Sequence, residues 1–322
     1  MRKWRWGVHR WWVLLFIILN AVAVSFVAPV RPHIQVAPEK IIEKPLFTLP
    51  ILGDFYLFNT FIATLLVDLI ILGIAWTVRR ALLSGSLIPG GISGVMDALV
   101  EILFNLTESS AGKHAKKIFP WFATVVILVL VMNLVKLIPG FESIGILHHS
   151  DKGYPAQRLF GDVFYLLPGQ VAEGEEAFGL IPFLRGPSTD LNFTLALALI
   201  AVFMVQVIGV QVHGAAYFLK FFNVTQLFKK PFFGVMDLLV GLLELISEFA
   251  KILSFAFRLF GNMFAGMVLV AIVGSLLPVF MPSFILLFEL FIGVIQAFVF
   301  GMLTMIFMGQ ATRGHGSEEH GE

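Results

Sequence analysis

Three observations predict an all-α polytopic membrane protein. Mean hydropathy is +0.91, with 58% hydrophobic and only 13% charged residues, far from a soluble globular chain. About six apolar blocks are long enough, or nearly so, to cross some 30 Å of hydrocarbon as helices of about 20 residues. Strict apolar/polar alternation is absent, which argues against a β-barrel. The chain has no Cys, so disulfides and thiolate metal sites are excluded.

The blocks lie near 11–30, 56–78, 119–138, 191–213, 233–277 and 282–309. The basic start of the first, with Ala21-Val22-Ala23 behind it, has the look of a signal peptide. Its length can span, however, and Trp4, Trp6, Trp11 and Trp12 suit an interfacial belt, so it is read as an uncleaved helix. The second block carries one charge, Asp68, which calls for a partner outside its own helix. Between Arg79 and Lys117, Pro89-Gly90-Gly91 breaks the chain. Val95, Leu99, Ile102, Leu103 and Leu106 then repeat at helical spacing, with Asp97, Glu101, Asn105 and Glu108 at other positions. That pattern predicts an amphipathic helix on the inner membrane surface.

Segments 1–10, 79–118, 214–232 and 310–322 carry thirteen Lys and Arg, against six in 31–55 and 139–190. The bias puts both termini inside and the acidic segment 139–188 outside. On the fourth block Gln206 and His213 share a face and could line an inner path or bridge helices. His148, His149, His315 and His320 lack the spacing of a metal site and are read as solvated, so no metal is expected.

The fifth block holds Arg258 near its middle, a charge that cannot be neutralised by losing its proton. A charge at the bilayer centre costs roughly 2.5–3.5 kcal/mol on insertion scales. At 100° per residue Glu244, Glu248, Lys251, Arg258 and Asn262 fall within an arc of roughly 80°. Such a stripe must face protein or water. Glu244, Glu248 and Lys251 could form a structural ion-pair network. Arg258 lies ten residues from Glu248, about 15 Å along the axis, so it stands outside that network. The block would be about 67 Å long if wholly helical, hence steeply tilted, curved or broken.

On the last block Glu289 and Gln296 share a face, with Gly293 between them permitting close approach of another helix. Gln296 suits interhelical hydrogen bonding. Glu289 is a candidate proton carrier, because burial disfavours its charged form.

Ser254-Phe-Ala-Phe-Arg-Leu-Phe-Gly-Asn-Met-Phe-Ala-Gly266 closely resembles the arginine-bearing segment of subunit a of F-type ATP synthases, bacterial type. Gly293-Val-Ile-Gln-Ala-Phe-Val-Phe300 resembles the glutamine-bearing segment of its last helix. Met132-Asn-Leu-Val-Lys-Leu-Ile-Pro-Gly140 and Pro187-Ser-Thr-Asp-Leu-Asn-Phe-Thr-Leu195 fit too, in the family's order, so the resemblance spans roughly 45–312. It implies that the last two helices form a long, strongly tilted hairpin along a partner ring. It also implies that Arg258 faces the acidic residue of the c-ring, with Gln296 beside it and Asn262 matching the asparagine four residues on. Glu244 matches a family acidic position, and Glu289 a site attributed to the outer proton path. Asp190 and Asn192 match polar positions that could line a channel. One departure stands out: where many relatives carry Glu or His, this chain has Met267, which cannot relay a proton.

The resemblance therefore implies the stationary proton-channel subunit of a rotary ATP synthase. Two offset aqueous half-channels would be separated by Arg258, oriented by a hydrogen bond from Gln296. Glu289, Asn262 and Glu244 would lie on the proton route; Glu248 and Lys251 would be structural or inner-channel groups. The implied partners are the c-ring, subunit b, the rest of the complex and a bacterial plasma membrane, with H+ as the ion. No phosphate-cradling loop or nucleophile–base arrangement is present, so no catalytic residue, cofactor or nucleic-acid partner is expected. The expected organisation is a membrane helix and outside loop at 1–55, the translocating domain at 56–312, and a disordered polar tail at 313–322. A proton-coupled secondary transporter of an anionic substrate is the alternative, although the chain has no internal repeat of the kind such folds show.

Overall fold

The computed structural model describes residues 35–50, 53–84, 90–138, 140–167, 176–221, 231–277 and 281–313, together with 11, 12, 14, 15, 17–19, 21 and 22. The expected first helix falls largely outside these. Its described residues from Trp11 to Val22 are helical and exposed. The tail at 314–322, with His315 and His320, also lies outside.

Six helices make up most of what is described: α1 (Asn59–Leu83), α2 (Ile92–Ala111), α3 (Ala115–Val135), α4 (Leu191–His213), α5 (Pro231–Leu276) and α6 (Met281–Ala311). Among the described residues five stretches are long and apolar enough to cross a membrane, with α2 and α3 counted as one through the 3-10 turn Gly112–His114. The fold class is thus the predicted helical membrane protein. α2 shows the expected amphipathic burial only in part: Leu103 is buried and Leu99 and Leu106 half-buried, but Val95 and Ile102 are exposed, as are Asp97, Glu101, Asn105 and Glu108.

The excess length of the fifth block is answered by continuity. α5 is one unbroken helix of 46 residues, with no proline after its first position. That makes it about 69 Å long.

The two segments expected as outside loops, 31–55 and 139–190, form strands. β1 (Phe47–Leu49) pairs antiparallel with β2 (Gly53–Phe55), β3 (Gly145–Tyr154) with β6 (Phe178–Pro182), and β4 (Ala156–Phe160) with β5 (Val163–Leu166). This corrects the reading of His148 as solvated. It pairs with Gly179, which lacks a Cβ, so the imidazole lies over that backbone with Nδ1 buried. His149 is exposed, 3.7 Å from Glu176.

The core sits where α3, α4, α5 and α6 meet. Val129, Ala198, Ala201, Phe255, Ala256, Leu259, Met263, Ala297 and Phe300 are packed there, nearly all without exposure. A second cluster joins Leu103, Ile118, Phe122, Ile208, Met305 and Met308, and a third joins Val67, Met132 and Phe141. Much of α1 stays outside: Leu69, Leu72 and Trp76 are all over 60% exposed, as is normal for a surface that meets lipid or another membrane helix.

Candidate functional site around Arg258

α5 is held by one face. Phe255, Ala256, Leu259 and Met263 enter the core, so residues 258 and 262 fall away from it by helical geometry. Arg258 is half-buried and Asn262 exposed. The Arg258 Nη2 donates to Ser254 Oγ at 3.3 Å, one turn earlier. Among the described residues no carboxylate lies within 4.0 Å of the guanidinium. Among the described residues its charge is thus met by a hydroxyl and by no carboxylate.

The expected bond from Gln296 to Arg258 is not formed. Gln296, 3% exposed, accepts at Oε1 from Asn262 Nδ2 at 2.7 Å, and its Nε2 is buried without a partner. The reason is register: Gln296 on α6 stands level with Asn262, one turn beyond the arginine.

Two clusters of polar groups flank Arg258 along α5. The first lies seven residues and more before it. Lys220 Nζ reaches Glu248 at 3.3 Å and Glu244 at 3.7 Å, and Lys251 reaches Glu248 at 3.1 Å. The three-residue network expected within α5 is thus only half formed. Glu248 and Lys251 pair across one turn, whereas Glu244 turns to Lys220, which comes from the segment after α4. Lys220 also donates to Tyr217 Oη at 2.8 Å, and Tyr217 donates to Gln206 Oε1 at 2.9 Å. Glu248 Oε2, Gln206 Nε2 and His213 Nε2 are buried here without partners.

The second cluster begins eight residues after Arg258, at Gly266. A Cβ there would collide with the Glu289 carboxylate, so glycine is what lets Glu289 lie against α5. Glu289 is not the lone carboxyl that its helix suggests. It is 6% exposed and pairs with Lys136 at the end of α3, Nζ to Oε1 2.9 Å. Close approach at Gly293 is as expected. Asn133 Nδ2 donates to the Gly293 carbonyl at 3.0 Å, while Asn133 Oδ1 accepts from Ser188 Oγ at 2.7 Å. Asp190 has a helix-capping geometry: Oδ1 accepts from the Asn192 N–H and Oδ2 from Thr60 Oγ1, both at 2.9 Å. The Asn192 side chain is exposed.

Just beyond the membrane-length helices, Glu142 accepts from the Gly186 N–H at 3.2 Å. Burial pushes its carboxyl up from the ordinary range, opposed by that bond and by Lys136 and Arg185. Arg185 donates to the Gln35 and Ala37 carbonyls at 2.7 and 2.9 Å, and burial pulls its guanidinium down. Among the described residues no group of three or more His, Cys, Asp or Glu is arranged to hold a metal.

Lys136, Lys220, Tyr217, Asn133 and Glu142 were not singled out from sequence. Lys136 could have been, since it is a charge inside an apolar block, the same signal that marked Arg258. The arrangement can support proton movement: titratable groups lie on both sides of a fixed cation, displaced along the α5 axis by about 10 Å at Lys251 and about 12 Å at Gly266, where Glu289 packs.

A sequence model of the family described as ATP synthase A chain matches residues 60–309. ATP synthase subunit a 1 of Syntrophotalea carbinolica is 28% identical over 217 residues, covering 67% of this chain and 70% of that protein. ATP synthase subunit a of Geotalea uraniireducens is 27% identical over 195 residues, covering 61% of this chain and 63% of that one. The subunit a of Buchnera aphidicola is 30% identical over 200 residues, covering 60% and 61% respectively. With the Arg258 segment, the α5–α6 pair and the flanking polar clusters all inside the matched range, the chain belongs to the ATP synthase A chain family.

Proposed function

We propose that Arg258 separates two offset aqueous half-paths in this chain, which by its family is a proton-translocating stator subunit of the ATP synthase complex. The observation that carries the reading is the placement of Arg258. Its guanidinium has no carboxylate partner among the described residues, and it lies between two polar clusters on one continuous helix.

The partner of that charge is a carboxylate of the rotating c-ring. A proton reaches the ring past Glu289 from the side of the 139–190 segment and neutralises a ring carboxyl, which can then turn through lipid without the cost of a buried charge. After nearly a full turn the proton leaves past Glu244, Glu248 and Gln206 on the side of Lys220 and Lys251. Arg258 favours the ionised ring carboxylate at the crossing and repels protons from the gap between the two paths. Each charge crossing 100 mV yields about 2.3 kcal/mol, so several protons are spent per ATP, and ATP chemistry resides on other subunits. Gln296 holds Asn262 and so fixes the α5–α6 contact beside the arginine.

The membrane is a bacterial plasma membrane with the Lys-rich segments inside, and the exposed Asp68 on α1 marks a face for the membrane helix of subunit b. Family membership favours this role over a self-contained transporter. The test is ATP-driven acidification of inverted vesicles carrying the whole complex: Arg258→Ala abolishes pumping while the complex stays assembled. Pumping that survives the substitution refutes the role of Arg258.

A further inference from the structure

The outer route to Glu289 runs either through water alone or through a second group, because a position that is titratable in many relatives is not titratable here. Met267, at the position where a titratable residue was expected, carries a thioether. Glu289 itself is enclosed, 7% of its side chain exposed, and bound to Lys136. Something nearer to water has to collect the proton.

Glu142 occupies that position. It follows α3 by two turns of chain, outside the membrane-length helices, and is half-buried rather than enclosed. Its Oε1 accepts from the Gly186 N–H. The side chain of Lys136 lies against Gly186, so closely that a Cβ there would sit 3.1 Å from Lys136 Cδ. Lys136 in turn holds Glu289 at 2.9 Å. Glu142, Gly186, Lys136 and Glu289 thus form one contiguous file from the surface into the α5–α6 contact.

Resting on the functional reading above, we propose that Glu142 is the proton-loading carboxyl of the outer path, taking a proton from external water and passing it to Glu289. The step is a proton transfer alone. A hydronium ion of the external medium protonates the Glu142 carboxylate and becomes water; the carboxyl gives that proton, by way of water, to the Glu289 carboxylate and is ionised again; Glu289 gives it to a ring carboxylate and is ionised in turn. The charges that face Glu142 are Lys136, Arg185 and Glu289. Lys136 and Arg185 favour its ionised form; burial and the like charge of Glu289 favour its protonated form, and burial is the largest influence. A carboxyl raised in this way holds a proton where an exposed one would not, and still exchanges it with the medium.

The test is ATP synthesis driven by an imposed potential in vesicles holding the whole complex, with pH varied on the side of the 139–190 segment. Glu142→Gln lowers the rate roughly tenfold or more when that side is alkaline and much less when it is acid, since scarce protons need a collector. Glu142→Asp keeps the native pH profile. A Glu142→Gln complex with native rate and native profile, in a preparation where Arg258→Ala abolishes synthesis, overturns the loading role and leaves the half-path reading standing. If Arg258→Ala still synthesises ATP, both fall. Should Glu142→Gln fail to assemble, Glu142→His serves: the loading role predicts a profile moved toward the imidazole range, and an unmoved profile overturns it.

Discussion

Lys136 and Glu289 form a buried ion pair, 2.9 Å from Nζ to Oε1, that ties the end of α3 to α6. Neither charge has an alternative partner of opposite sign within salt-bridge distance among the described residues. Removing one leaves the other enclosed and unpaired, which costs about 3–5 kcal/mol, whereas removing both costs far less.

Lys136→Met is therefore expected to lower the thermal midpoint of the assembled complex, and Lys136→Met with Glu289→Gln to recover most of it. If the double variant is no more stable than Lys136→Met alone, the two charges are not coupled.

Gly266→Ala places a methyl group against the Glu289 carboxylate. Overpacking of this kind costs roughly 1–3 kcal/mol, and the carboxylate must also shift from Lys136. Proton-driven ATP synthesis should fall with it. Combining Gly266→Ala with Glu289→Asp, one methylene shorter, should restore part of the rate. No recovery would place the loss elsewhere than at this contact.

Arg258→Lys keeps a cation but gives up the planar fork and permanent charge. Synthesis is expected to fall nearly as far as with Arg258→Ala, and raising the pH should deepen the loss. A lysine variant with native rates at every pH would mean that a positive point charge suffices.

Gln296→Leu takes the 2.7 Å acceptor from Asn262 Nδ2, which is exposed and can turn to water, so the cost is about 0.5–1.5 kcal/mol. Because Gln296 acts on Asn262 rather than on the arginine, pumping should be reduced, not abolished. Total loss with an intact complex would show a direct role beside Arg258.

Glu142 has a pH signature in stability. Its carboxyl is raised above 4.5, so the folded state holds more protons than the unfolded one between 4.5 and the raised value. Stability is highest below 4.5 and declines as pH rises through that window. Glu142→Gln removes the decline. Thermal midpoints of variant and native complex should converge in acid and separate, variant higher, toward neutral pH; parallel midpoints would deny the burial effect.

What sequence revealed here divides along helix boundaries. Arg258, Asn262, Glu244 and Glu248 were found from periodicity within one helix, and Glu289 and Gln296 from periodicity within another. Partners that cross between elements were missed: Lys136 for Glu289, Lys220 for Glu244, Asn262 instead of Arg258 for Gln296. Angular spacing says which side chains share a face, but the level at which two helices meet depends on packing, here on Gly266 and Gly293. The strands of 145–182 were missed for a related reason. The β3–β6 pairing joins residues some thirty positions apart, as in Ile146 with Ile181, and no local pattern announces it, whereas β4–β5 is a local hairpin around Gly161 that the sequence reading passed over.

The unbroken ladder of α5 has a mechanical consequence. Glu244, Arg258 and Gly266 ride on a single bar of 46 residues without a hinge. On the functional reading proposed above, a sideways push from a turning partner at Arg258 would load the whole helix rather than a single joint. It would pass to the contacts that clamp the bar, those of Phe255, Leu259 and Met263 in the core shared with α3, α4 and α6. On that reading the spacing of the loading and unloading ends would hold under torque, and stiffness, as much as charge, would keep the two ends from connecting.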